Sequence, residues 1–173
     1  MKDVSLFIPC TVDLFAPRIG EALVNLLRRL GVNPIYHPEQ TCCGQPAMNA
    51  GYREEAKKVA KHFISIFEKD EMIVSPAGSC VCMAKYHYPE LLENEPDWLR
   101  RAEALAPRLY EFSQYLVDVL KAEDVGASFE GKVTYHESCH ILQGLGVSEQ
   151  PKKLIQAVKG AQLIPLNNAD SCC

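Results

Sequence analysis

Eight cysteines stand in a chain of 173 residues, and two of them are adjacent, in Thr41-Cys42-Cys43-Gly44-Gln45-Pro46. In an extended segment successive side chains point to opposite sides, so one apolar core cannot receive both thiols. A disulfide between neighbours would force a distorted backbone, well short of the usual Cα separation. A polynuclear iron–sulfur cluster suits the pair, because its separate irons each take a thiolate from a different direction. Gly44 lets the chain turn sharply or approach such a cluster closely, and Pro46 stiffens the exit. Cys10, Cys42, Cys43 and Cys80 are the candidate ligands of one shared centre. Zinc held by four thiolates is the chemical rival, although its usual paired cysteine knuckles are missing here. A thiol–disulfide enzyme working through Cys42-Cys43 or Cys80-Val81-Cys82 is a third reading, and it requires a thiol of depressed pKa.

Three short apolar runs lead into these cysteines. Residues 4–8 end at Pro9, just before Cys10; residues 32–36 precede the vicinal pair; residues 72–75 run into Pro76-Ala77-Gly78-Ser79-Cys80. All three predict strands, with Pro34 placing the second at a sheet edge. Between them lie helical patterns. One opens at Pro17, carries Ile19, Ala22, Leu23, Leu26, Leu27 and Leu30, and stops at Gly31. The next starts near Arg53, with Ala56, Val59, Ala60, Phe63, Ile64 and Phe67 on one face. Strands alternating with helices predict a parallel sheet with right-handed crossovers, which gathers Cys10, Cys42, Cys43 and Cys80 at one edge. Residues 98–120 read as helix broken near Pro107, with Leu109, Phe112, Leu116 and Leu120 inward.

Beyond a polar stretch the order restarts. Residues 133–135 are strand-like and lead to Cys139; a helix opened by Pro151 carries Leu154, Ile155 and Val158 and stops at Gly160; residues 162–166 are strand-like and precede Cys172-Cys173. Cys10 and Cys42 are separated by 31 residues, Cys139 and Cys172 by 32. Repetition of spacing together with architecture identifies an internal repeat. The fold class is therefore α/β, with two pseudo-repeated Rossmann-like parallel-sheet units and cysteines at strand C-terminal ends. The first unit is assigned to residues 1–122, a linker to 123–131 and a second unit to 132–173. That second unit reads as truncated, since no Gly, Pro or counterpart of Cys80 follows its vicinal pair. Cys139, Cys172 and Cys173 are the candidate metal ligands of a second site, while Cys82 is read as a bystander.

Other classes recede. A net charge of −4 argues against nucleic-acid binding, and no apolar run approaches a membrane span. The N-terminal residues lack the pattern of a secretory signal, which places the protein in the cytoplasm. No glycine-rich nucleotide fingerprint or phosphate loop is present. His136-Glu137-Ser138-Cys139-His140 matches the zinc-protease string, but that string needs a helix to set both histidines on one face, and here it follows a strand. His37, His62 and His87 have no partner pattern and read as surface or helix residues, and Asp13 as a turn or cap residue.

Five stretches carry a likeness over essentially the whole chain: Ser5-Leu6-Phe7 leading to Cys10, Cys42-Cys43-Gly44-Gln45-Pro46-Ala47, Val74-Ser75-Pro76-Ala77-Gly78-Ser79-Cys80, Glu123-Asp124-Val125-Gly126-Ala127, and Ser138-Cys139-His140. In them the sequence resembles the cysteine-rich CCG-domain family, in particular its lactate-utilization branch. The resemblance implies an iron–sulfur electron-transfer subunit of a cytoplasmic complex that oxidises L-lactate, or a related 2-hydroxy acid, to the 2-oxo acid. It also implies companion lactate-utilization proteins, one of them a ferredoxin-like iron–sulfur subunit. Two departures matter. Members that bind a five-cysteine cluster end the first motif in Cys-x-x-Cys, whereas Cys80-Val81-Cys82 is one residue shorter, so four thiolates and a [4Fe-4S] cubane are expected. Members also continue past the second vicinal pair.

Overall fold

The apolar runs that precede the cysteines are parallel strands. The computed structural model describes residues 2–171, and the chain divides between residues 111 and 112 into two units. In the first, β1 (Lys2–Leu6) lies between β2 (Val32–Tyr36) and β3 (Ile73–Ser75), with β4 (Leu109–Glu111) outside β3. Every neighbouring pair is parallel, so the fold is α/β as the alternation of patterns predicts. Pro34 sits on β2, an edge strand, where a ladder tolerates it.

Helices make the crossovers. α1 (Cys10–Phe15) and α2 (Pro17–Arg29) join β1 to β2, with Pro17 opening α2; α3 (Gln45–Asn49) and α4 (Arg53–Phe67) join β2 to β3. α5 (Gly78–Cys82) runs through a π-helical turn (Met83–His87) into α6 (Tyr88–Leu91), and α7 (Pro96–Leu105) leads back to β4. α4 buries Ala56, Ala60, Phe63, Ile64 and Phe67, the stripe its spacing predicts except for Val59, which is half-buried. Phe63 meets Phe7 edge-on at 4.8 Å between ring centroids and Tyr88 at 5.5 Å, in the T-shaped geometry that aromatic quadrupoles favour.

Three expectations need correction. Ile19 and Ala22 are not on the inner stripe of α2; Leu23 and Leu27 are buried, whereas Ile19 is 49% exposed and Ala22 is exposed as well. The helix expected over residues 98–120 ends at Leu105, and Leu109–Glu111 is a strand. Pro107 stops the helical ladder there, and pairing with β3 buries Leu109 completely.

The second unit contains α8 (Phe112–Gln114), π-helical turns at Tyr115–Val119 and His140–Gly144, β5 (Ser128–Val133), α9 (Glu149–Gln156) and β6 (Lys159–Leu163). β5 and β6 pair in parallel, with Val133 opposite Leu163. Both strands lie earlier than expected, the third correction: β5 precedes residues 133–135 and takes residues 128–131 out of the stretch read as a polar linker, and β6 precedes residues 162–166. The Ile164 amide still donates to the Val133 carbonyl at 2.8 Å, but Pro165 has no N–H with which to continue.

Candidate metal centre

Cys10 is the first residue of α1, Cys42 and Cys43 lie in the loop after β2, and Cys80 sits in the first turn of α5 after β3. All four follow the C-terminal ends of parallel strands, the edge at which open α/β sheets hold their ligands. The Cys10 and Cys42 sulfurs are 3.6 Å apart, and the Gly44 amide donates to the Cys42 sulfur at 3.4 Å. Cys43 is hydrogen-bonded to Cys80, and both are buried; Cys10 and Cys42 are partly exposed. Cys43 is also hydrogen-bonded to Cys42, so the site is a run of four thiols, with an outer, partly exposed pair (Cys10 and Cys42) continuous with an inner, buried one (Cys43 and Cys80).

Their electrostatics are unequal. The bond to Cys80, reinforced by burial, holds the Cys43 thiol protonated far above the usual range. The same bond lowers the pKa of Cys80, helped by Ser79 and opposed by burial, so Cys80 gives up its proton first and Cys43 donates to the thiolate. Burial, then the contact with Cys42, pushes the Cys10 thiol up. Among the described residues, no three His, Cys, Asp or Glu side chains converge on a single metal-ion position. Cys82 is buried in the same short helix as Cys80, but two helical positions separate their directions by about 200°.

Backbone geometry sets the vicinal pair. Gly44 has φ +81, in the left-handed region, and a Cβ built there would come 3.3 Å from Val59 Cγ1. Gly44→Ala is expected to destabilise the metal-free protein by about 1–2 kcal/mol from its backbone conformation, read as a lower urea midpoint. Tyr88, fully buried, donates its hydroxyl to the Cys43 carbonyl at 2.9 Å. Burial raises the phenol pKa well above its ordinary value, so the donor stays protonated. Tyr88→Phe keeps the ring and removes this bond, for an expected cost of about 1–3 kcal/mol by the same measurement. No periodic pattern marks Tyr88 in the sequence; its partner is 45 residues away.

Gln40 is the other positioning residue that spacing does not reveal. Its Nε2 donates to the Leu6 and His37 carbonyls at 3.1 and 3.0 Å, and its Oε1 accepts from the Ile8 amide at 2.7 Å. The side-chain amide therefore stands in for a peptide group and extends the β1–β2 ladder past its end, two residues from both Cys10 and Cys42.

His37 is not a plain surface residue: its Nε2 lies 2.8 Å from Asp70 Oδ2 and 3.4 Å from Ser5 Oγ. Both contacts fall on one nitrogen, whereas a hydrolytic triad uses the two ring nitrogens separately. This trio is structural.

In the second unit Cys139 opens the π-helical turn, its sulfur 3.5 Å from His140 Nδ1. The Glu137 amide donates to the Ala169 carbonyl at 2.8 Å, and His136 Nε2 lies 2.9 Å from the Ser171 carbonyl. The Cys139 loop is thereby laced to the segment leading to Cys172 and Cys173, which themselves lie outside the described residues. His136 and Glu137 are not helical. Glu137 bonds Ser148 and lies 3.1 Å from the Lys152 ammonium, so the string His136 to His140 lacks the helix a zinc protease requires.

A family model described as CCG, a cysteine-rich domain, matches residues 4–85 and again residues 133–173. The lactate utilization protein A of Anoxybacillus flavithermus is 52% identical over 172 residues, 99% of this chain and 71% of that protein. Proteins of the same name from Geobacillus kaustophilus and Bacillus licheniformis are 49% and 48% identical over 170 residues, covering 98% of this chain and 71% of each relative.

Proposed function

This chain belongs to the CCG cysteine-rich domain family, and from that premise we propose that it is an iron–sulfur electron-transfer subunit of a complex oxidising L-lactate, or a related 2-hydroxy acid, to the 2-oxo acid. The observation that supports the reading is the meeting of four thiols delivered by three separate strand ends, Cys10 against Cys42 and Cys43 against both Cys42 and Cys80. That donor set fits a polynuclear centre, with Cys10, Cys42, Cys43 and Cys80 as the ligands of a [4Fe-4S] cluster. When bound, such a cluster takes up and releases single electrons at a potential set by hydrogen bonds to sulfur and by burial.

The chain's own residues hold and tune that place. Gln40 and Tyr88 fix the two loops, the Gly44 amide is directed at the Cys42 sulfur, and the apolar core behind Cys43 and Cys80 keeps water from the inner pair. Cys139, Cys172 and Cys173 are ligands of a second site. Companion proteins in the cytoplasm, including a ferredoxin-like iron–sulfur subunit, complete the complex. Among the described residues no helix is long and apolar enough to cross a membrane.

A thiol–disulfide reading has the Cys10–Cys42 contact in its favour. Against it, burial pushes the Cys10 thiol up, and the thiol whose pKa is lowered, Cys80, is buried, the reverse of a reactive cysteine. The deciding experiment is anaerobic reconstitution followed by iron, zinc and acid-labile sulfide analysis and electron paramagnetic resonance. Brown protein with equal iron and sulfide is expected. Colourless protein without iron, or stoichiometric zinc with no redox response, overturns the reading.

A further inference from the structure

Beside Cys10 the surface is unusually apolar. Leu14 is 71% exposed and Phe15 83%, Ile19 is 49% and Tyr36 53%. They flank a cavity of about 430 Å³ walled in part by Ile8, Val24 and Tyr36. Leu14 and Phe15 lie in the chain between two of its lining residues, Asp13 and Pro17, and Ile19 immediately precedes a third, Gly20. Large side chains standing out around a recess are a macromolecular contact surface rather than the enclosing wall of a small-molecule pocket. Exposed aromatic anchors of this kind are enriched in protein interfaces.

Two observations identify what covers it. The charged residues lining the cavity, Asp13 and Glu21, are both carboxylates, so the matching surface carries Lys or Arg around an apolar contact. Cys10 starts the helix on which Phe15 is the last residue, and five helical steps put them about 7.5 Å apart along its axis. Two of the residues lining the cavity, Ile8 and Asp13, stand two positions before and three positions after Cys10 in the chain, so a partner seated there lies beside the outer, partly exposed thiols.

We propose that the cavity and its rim of Leu14, Phe15, Ile19 and Tyr36 dock an electron-carrier protein whose contact face is an apolar patch flanked by basic residues. This rests on the reading of the four thiols as a redox centre. Apolar contact holds the carrier beside Cys10, while Asp13 and Glu21 steer its approach.

The test uses the cluster-loaded, dithionite-reduced full chain, with excess reductant removed, and a basic c-type cytochrome as the probe carrier. Ferricyanide serves as a small acceptor that needs no docking. Leu14→Ser combined with Phe15→Ser is expected to slow cytochrome reduction about tenfold or more while the ferricyanide rate is unchanged. Asp13→Asn with Glu21→Gln is expected to slow it about threefold and to flatten its dependence on ionic strength. Unchanged cytochrome kinetics in the Leu14/Phe15 double variant overturns the docking surface. A loaded protein that reduces neither acceptor overturns the redox reading itself, and with it the carrier as occupant.

Discussion

Cys43→Ser and Cys80→Ser are each expected to bring the iron and acid-labile sulfide of the reconstituted protein down to background, whereas Cys82→Ser leaves both near the unsubstituted level. The inner pair has the larger effect because its residues are buried, and the neighbouring buried thiol, Cys82, projects from the helix in another direction. A serine hydroxyl is close to a thiol in size and can keep the hydrogen bond between positions 43 and 80, so the metal-free fold survives. It does not become the thiolate that the centre needs. Loading also releases protons, since each thiol must ionise. Cys80 is the easier of the pair to ionise and Cys43 the harder, so uptake by the unsubstituted protein is expected to fall as pH falls. Cys82 is the internal control: it shares a short helix and burial with Cys80 but projects from it in another direction. Iron retained by Cys80→Ser, or lost equally from Cys82→Ser, would sink this assignment of ligands.

The meeting of Cys10, Cys42, Cys43 and Cys80 was legible in the sequence because it follows from topology. A parallel sheet puts every strand's C-terminal end at one edge, and runs as plain as 4–8 and 72–75 announce their strands without help. The pieces that escaped have no such periodic cause. β4 is three residues long and sits where Leu109, Phe112 and Leu116 are spaced like a helix face; its partner β3 decides it, not its own pattern. Ile19 fits the stripe of α2 by spacing, yet the azimuth at which α2 packs leaves it outside. The Gly160 that reads as a helix stop lies inside β6 at φ +85, so one residue type served two possible grammars. Gln40 and Tyr88 act through side-chain hydrogen bonds to backbone groups, most of them far away in the chain, and such bonds leave no trace in spacing.

Gln40→Leu is expected to cost the metal-free protein about 2–5 kcal/mol in urea unfolding and to reduce its iron content after reconstitution. Leucine fills nearly the same space but offers nothing to the Ile8 amide or to the Leu6 and His37 carbonyls. Each buried group stripped of its partner loses about 1–3 kcal/mol, and Leu6 is fully buried. The consequence for the site follows from chain connectivity. Ile8 is two residues before Cys10 and Gln40 two residues before Cys42, so the Gln40 amide ties the two segments that bring the outer sulfurs to 3.6 Å. Without that tie the Cys42 loop has no ladder holding it to β1, and closing the site then carries an entropic cost that the folded chain now meets in advance. Gln40→Glu separates the two ends of the amide: it keeps an acceptor for Ile8 but turns the Nε2 donor into an oxygen facing two carbonyls. It is therefore expected to load iron poorly at neutral pH and better as the carboxyl is protonated, against the general acid loss expected of the thiols. A Gln40→Leu protein that unfolds at the unsubstituted midpoint and takes up a full complement of iron would show that the loop reaches its place without the clamp.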